Sequence, residues 1–111
     1  MRRILKNAYG PDGPHIDSTE VKRWTDQFRA KDAREGLKRV VRNGIVGFSG
    51  SELRRLHVRA TVVWGSDDDV DGVASGRAAA RDLGAQFVEI PDAGHLSLLE
   101  RPGPVAVAIA P

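Results

Sequence analysis

Cysteine is missing from all 111 residues of the sequence. That excludes disulfide staples and thiolate metal sites, and it fits a reducing compartment, so a cytoplasmic location is expected. Aromatic residues are also scarce, at 5%, so any core has to be assembled from Val, Leu, Ile and Ala. No apolar run approaches the ~20 residues of a membrane helix. The opening stretch, MRRILKNAYG, carries charge but not the apolar centre of a signal peptide. Internal repeats and low-complexity tracts are absent as well. The length suits one small domain and is too short for two.

What is present is divided unevenly. Residues 1–59 hold 14 Lys/Arg against 7 Asp/Glu, and residues 60–111 hold 3 against 8. A basic half is one way to bind nucleic acid or an anionic surface. Here acids are interleaved with the bases and no recognition motif accompanies them, so nucleic acid is not an expected partner. A non-catalytic binding or interaction module using this basic half stays open as the alternative to an enzyme.

The first half reads as helical. Gly and Pro punctuate residues 9–14 as a loop. Asp17 followed by Glu20 has the form of a helix start, an oxygen cap with a returning carboxylate. Val21, Trp24, Thr25 and Phe28 then recur at helical spacing. A second helix is expected from Ala33 to Arg42, with Leu37, Val40 and Val41 on one side and Gly44 just past its end. A short third helix is expected over residues 51–56. The period then changes. Residues 60–64 form a continuous, β-branched apolar run, as in a strand covered on both faces. Residues 73–83 are alanine-rich and helical, closed by Gly84. Residues 86–90 make a second strand. Residues 96–100 read as a turn or short helix, and a terminal apolar helix is expected over residues 104–110, opening on a proline. Strand, helix, strand implies an α/β class with parallel pairing. Two parallel strands make a poor sheet by themselves, so the second half has the form of the tail of a larger one.

Four aspartates crowd the stretch TVVWGSDDDVDG, residues 61–72. Asp67, Asp69, Asp71 and Gly72 match the opening of a calcium-binding loop. That loop needs a glutamate at its twelfth position, where Ala78 stands, and a helix before it, where a strand is expected. Asp69 and Asp71 also fit a phosphatase-type DxDG signature, yet four residues separate Asp69 from the strand end and Val73 replaces the usual threonine. A structural role is simpler for two of them: Asp69 and Asp71 suit the start of the helix at residue 73, where negative charge is favoured.

The remaining reading joins this run to PDAGHLSLLERP, residues 91–102. A strand ending in W-G-x-x-D, a helix, a second strand and a loop bearing Gly-His together resemble the C-terminal part of the α/β-hydrolase fold. The likeness is close over residues 58–110. It implies a partial α/β-hydrolase fold: a helical cap remnant in residues 1–57, then β-α-β-α with two parallel strands in residues 58–111. It implies further that Asp68 is the acid and His95 the base of a catalytic triad, in the family's order of acid before histidine. His15 and His57 have no such surroundings. No metal or organic cofactor is implied. The implied partners are a small, apolar substrate of the complete enzyme and a missing N-terminal half; no membrane is implied. Self-association through the unpaired edge of the strand at residues 60–64 is a separate expectation.

The triad lacks its nucleophile. Gly47-Phe48-Ser49-Gly50-Ser51 approaches the G-x-S-x-G elbow, but Ser51 occupies the second glycine position and no adequate strand precedes it. Ser49 and Glu52 fit a helix capping box instead. No HGGG-type oxyanion loop is present either. The resemblance therefore implies a hydrolase portion that is inactive without its nucleophile-bearing half. Both a serine and a carboxylate nucleophile remain open. Tyr9, Trp24 and Phe28 are candidates for the wall of a substrate pocket or for packing between helices.

Overall fold

The computed structural model describes residues 1–30, 32–44 and 47–111, with the side chain of Val41 outside the described set. Helix α1 spans Arg2–Ala8, α2 spans Ser18–Asp26 and runs into a 3-10 turn at Gln27–Arg29, and α3 spans Ala33–Asn43. The short α4, Gly50–Leu53, leads to strand β1, Thr61–Gly65. Then follow α5 at Val73–Leu83, β2 at Gln86–Ile90, α6 at Ser97–Glu100 and α7 at Pro102–Ala108.

The two strands pair in parallel, with Thr61 opposite Gln86 and Gly65 opposite Ile90. Alternation along the strands then divides the residues between two faces. Val63 and Val88 pack with Ile90, Ala93, Val105 and Ala108, which places α7 on that face. On the other face the Trp64 ring lies against Gly76 of α5, and Arg77 of α5 pairs with Glu89 and covers the Phe87 ring at 4.7 Å. Each face thus has one helix. Because no third strand flanks β1 among the described residues, its central side chains are half-buried, short of the full cover that their composition suggested.

Local sequence accounts for most boundaries. Gly84 closes α5 in the left-handed conformation, φ +64°, as its lack of a Cβ permits. Asp17 caps α2 by accepting the Glu20 N–H. The returning carboxylate does not return, because Glu20 accepts from Tyr9 Oη and Trp24 Nε1 instead. The Ser49–Glu52 capping box forms as expected, one residue ahead of the expected helix. Helix α7 opens at Pro102, two residues before the expected start. Both Pro102 and Pro104 sit in the first turn, where a missing N–H breaks no helical bond. Leu37 and Val40 of α3 remain exposed.

Two glycine substitutions separate packing from backbone effects. A methyl at Gly76 would lie 2.6 Å from the Trp64 ring, whereas one at Gly36 of α3 meets nothing within 4 Å. Gly76→Ala is expected to lower stability by ~1–3 kcal/mol through overpacking. Gly36→Ala is expected to raise it by up to ~1 kcal/mol through helix propensity. Urea midpoints of the two variants, moving in opposite directions, check this.

Candidate active site

The C-terminal ends of parallel strands leave two loops side by side, a usual place for a site in an α/β sheet. Here the loops are laced together. Ser66 N–H donates to the Ile90 carbonyl and Asp67 N–H to the Ala93 carbonyl, each at 2.9 Å. Ser66 Oγ accepts the Asp92 N–H, also at 2.9 Å. The approach is so close that a Cβ on Gly65 would fall 2.2 Å from the Ala93 carbonyl oxygen. Only glycine fits at that strand end.

This lacing sets Asp68 against His95. Asp68 Oδ1 accepts two backbone N–H bonds, from Val70 and Asp71, both at 2.9 Å. Its Oδ2 lies 2.9 Å from His95 Nδ1. The Asp68 side chain is 4% exposed, while that of His95 is 44% exposed. Burial alone would raise the Asp68 carboxyl. The Asp71 N–H, the His95 ring and the Val70 N–H together outweigh it and hold Asp68 below the ordinary carboxylate value. An ionised carboxylate only accepts, so the bond puts the proton on His95 Nδ1 and leaves Nε2 as the basic nitrogen. Among the described residues no side chain bonds Nε2.

The other aspartates do not converge on a site. Asp67 accepts from Ser66 Oγ at 2.7 Å. The expectation that Asp69 and Asp71 cap α5 is not met: the N-cap is Gly72, with no side-chain cap bond. Asp71 contributes its backbone, the N–H to Asp68 and the carbonyl to Trp64 Nε1 at 2.8 Å. The buried carboxylate of Asp68 takes the local N–H groups first, so the turn forms around it. Among the described residues no three His, Asp or Glu side chains are arranged to hold a metal ion.

Ser49 lies in its capping box, its hydroxyl 2.6 Å from Glu52 and 3.0 Å from Ser51. Tyr9 and Trp24 line a cavity of about 450 Å³ together with Glu20, Arg23 and Leu99, and Phe28 is not part of that wall. A second cavity of about 610 Å³ lies between α1, the loop after it, and Asp67 and Asp69. Tyr9 belongs to both walls. Burial, and a hydrogen bond to the Glu20 carboxylate, push its phenol above the ordinary value. His15 edges the larger cavity, and His57 is exposed.

One residue gained no role from its sequence context. Glu100, in the stretch LSLLERP, accepts the Gly94 N–H at 2.9 Å and the Gly10 N–H at 2.8 Å. A lone carboxylate among leucines was the only signal available.

With this geometry, the comparisons define the class of protein. The sequence model of the alpha/beta hydrolase family matches residues 3–108, and the chain belongs to that family. Among solved structures, the chain is similar to a crystal structure of a His-tagged serine hydrolase involved in carbazole degradation, the CarC enzyme. The TM-score is 0.79 at 21% identity, over 97% of this chain and 45% of that one. The chain thus spans less than half the length of that relative and carries part of its fold, helices followed by two parallel strands. No curated protein matches the sequence.

The depressed Asp68 carboxyl has a consequence for acid stability. In the unfolded chain an aspartate titrates near ~3.9, so on acidification the unfolded state binds the proton first. The Asp68 contribution is complete above that value and is lost as pH falls through the lower folded one. Asp68→Asn is expected to lower stability at pH 7 by ~1–3 kcal/mol and to narrow its difference from wild type below about pH 4. Asp17, Asp26 and Glu52 are also held low, chiefly by the Glu20 N–H, the Lys22 ammonium and the Ser49 hydroxyl. Their acid loss is common to both proteins, so denaturation curves at pH 7 and pH 3 isolate Asp68.

Proposed function

We propose that this chain supplies the acid and the general base of an α/β-hydrolase active site. Residues 1–57 serve as a cap-like segment and residues 58–111 as the end of the catalytic core. The parent reaction is hydrolysis of an ester, amide, epoxide, carbon–halogen or carbon–carbon bond in a small, apolar molecule. The observation that carries this reading is the bond between Asp68 Oδ2 and His95 Nδ1, with Nε2 left open to a reacting group.

The chemistry follows from that bond. Nε2 takes a proton from a nucleophile, a serine hydroxyl or the water that attacks a carboxylate-bound intermediate, and returns it to the leaving group. As the imidazolium forms, the buried Asp68 carboxylate stabilises its charge and keeps the ring oriented. The larger cavity adjoins Asp67 and Asp69, next to the acid, and Tyr9 and Trp24 wall the smaller one. Those walls suit a small molecule.

Two observations support inactivity of the chain alone. The sequence carries no complete G-x-S-x-G elbow, and Ser49 is committed to a helix cap. Val107, Ile109, Leu98 and Leu99 are exposed, as surfaces are that other parts of a fold cover. The alternative, an interaction module built on the basic half, is less well supported. Lys22–Asp26, Arg23–Glu20, Arg29–Asp26 and Lys38–Glu35 pairs interrupt the positive surface.

Purified 1–111 is expected to hydrolyse p-nitrophenyl acetate no faster than its His95→Ala variant. Turnover that His95→Ala abolishes would overturn the inactivity of the isolated chain. Ser49→Ala is expected to lower stability by ~1 kcal/mol as a lost cap and to leave ester hydrolysis unchanged. An in-frame G-x-S-x-G preceding Met1 would mark a serine nucleophile and an in-frame G-x-D-x-G a carboxylate one.

A further inference from the structure

We propose that Glu100 is a positioning residue for His95, a two-pronged clasp that holds the histidine loop in register with Asp68. The inference rests on the reading of Asp68 and His95 as acid and base.

The two halves of the pair are held by different means. Asp68 is fixed within its own turn by the N–H groups of Val70 and Asp71. His95 has no such local support: its ring is partly exposed and Asp68 is its bonded partner. Its position depends on the backbone at Gly94. That backbone is pressed from one side by β1, where a Cβ on Gly65 would lie 2.3 Å from the Gly94 carbonyl oxygen. From the other side comes the loop after α1. A Cβ on Gly94 would lie 2.4 Å from the Gly10 nitrogen, and one on Gly10 would lie 2.7 Å from the Gly94 nitrogen.

Two backbone N–H donors from different segments converge there. The Glu100 carboxylate takes both, one oxygen to each: Oε1 accepts from Gly94 and Oε2 from Gly10. Charge-assisted bonds of this kind are stronger than neutral ones. Leu96 N–H to the Ala8 carbonyl, 3.1 Å, adds a second link between the same segments. The clasp therefore joins the loop bearing Tyr9, which walls both cavities, to the residue next to the base. A carboxylate is required. Glutamine offers one accepting oxygen and turns an NH₂ toward the other donor.

The test is the protonation site of His95, read from its ring nitrogens by long-range ¹H–¹⁵N correlation in the full 111-residue chain at neutral pH. Wild type is expected to hold the proton on Nδ1, and Asp68→Asn to lose that preference. In Glu100→Ala the Nδ1-protonated fraction is expected to fall by about half or more. The Val70 and Asp71 amides should keep their protection from exchange, reporting an intact Asp68 turn. Glu100→Gln, which keeps the shape and one acceptor, is expected to fall between the two, with only one of the Gly10 and Gly94 amides still protected. It decides the matter if Glu100→Ala does not fold. A wild-type Nδ1 fraction in both Glu100 variants, whatever their melting temperatures, overturns the positioning role and leaves the Asp68–His95 pair standing. A wild-type chain with no preference for Nδ1 overturns the pair, and this inference with it.

Discussion

A carboxylate withdrawn from water must find donors for its lone pairs or give up its charge. Asp68 finds two in the N–H groups of the turn it begins and one across the sheet in the His95 ring. The rest of the second half is arranged around that requirement. Parallel pairing of β1 and β2 brings residues 27 apart in sequence to one end of the sheet. Gly65 removes the Cβ that would keep the two loops apart. Ser66 and Asp67 then lace the first loop to the second through backbone and hydroxyl bonds. Each step narrows the freedom of the histidine backbone, until one ring nitrogen faces the carboxylate and the other faces outward.

The first half is organised by a different carboxylate. Glu20 gathers Tyr9 and Trp24, and the loop that follows Tyr9 lies on the histidine loop. Tyr9, Ala8 and Leu5 are buried there, whereas Leu37 and Val40 of α3 are exposed. Apolar side chains on α6 and α7 are exposed in the same way. Helix α6 is an exception in one respect, since Glu100 turns inward from it. A sheet of two strands with one helix on each face has little buried area to draw on.

Much of this was legible from the residues. The β-branched run before Gly65, the alanine-rich helix closed by Gly84, and the second strand appear at or within one residue of their expected places, because period and punctuation are local properties. The family's spacing of W-G-x-x-D and Gly-His singled out Asp68 and His95 in the sequence, and in the structure Asp68 Oδ2 lies 2.9 Å from His95 Nδ1. The errors are also informative. Asp69 and Asp71 looked like helix caps since they precede a helix, but the N–H groups nearest to them answer the more deeply buried Asp68. Glu20 looked like half of a capping box, but a phenol and an indole from other turns reach it first. In each case a competing partner outweighed a sound local preference: within the turn for Asp68, and from the end of α1 and the next helical turn for Glu20.

Sequence alone determined most of the elements, their order and the parallel class, because helix caps, strand periods and glycine turns depend on near neighbours; the helix at Arg2–Ala8 was not among them, and Asp68 and His95 were singled out by the resemblance rather than by any local preference. Tertiary structure alone decided which carboxylate would serve which donors, and that Gly10 and Gly94 would meet under Glu100. Those contacts join residues up to 90 positions apart. No local preference encodes them, since they exist only once the backbones have closed to within the space that glycine leaves.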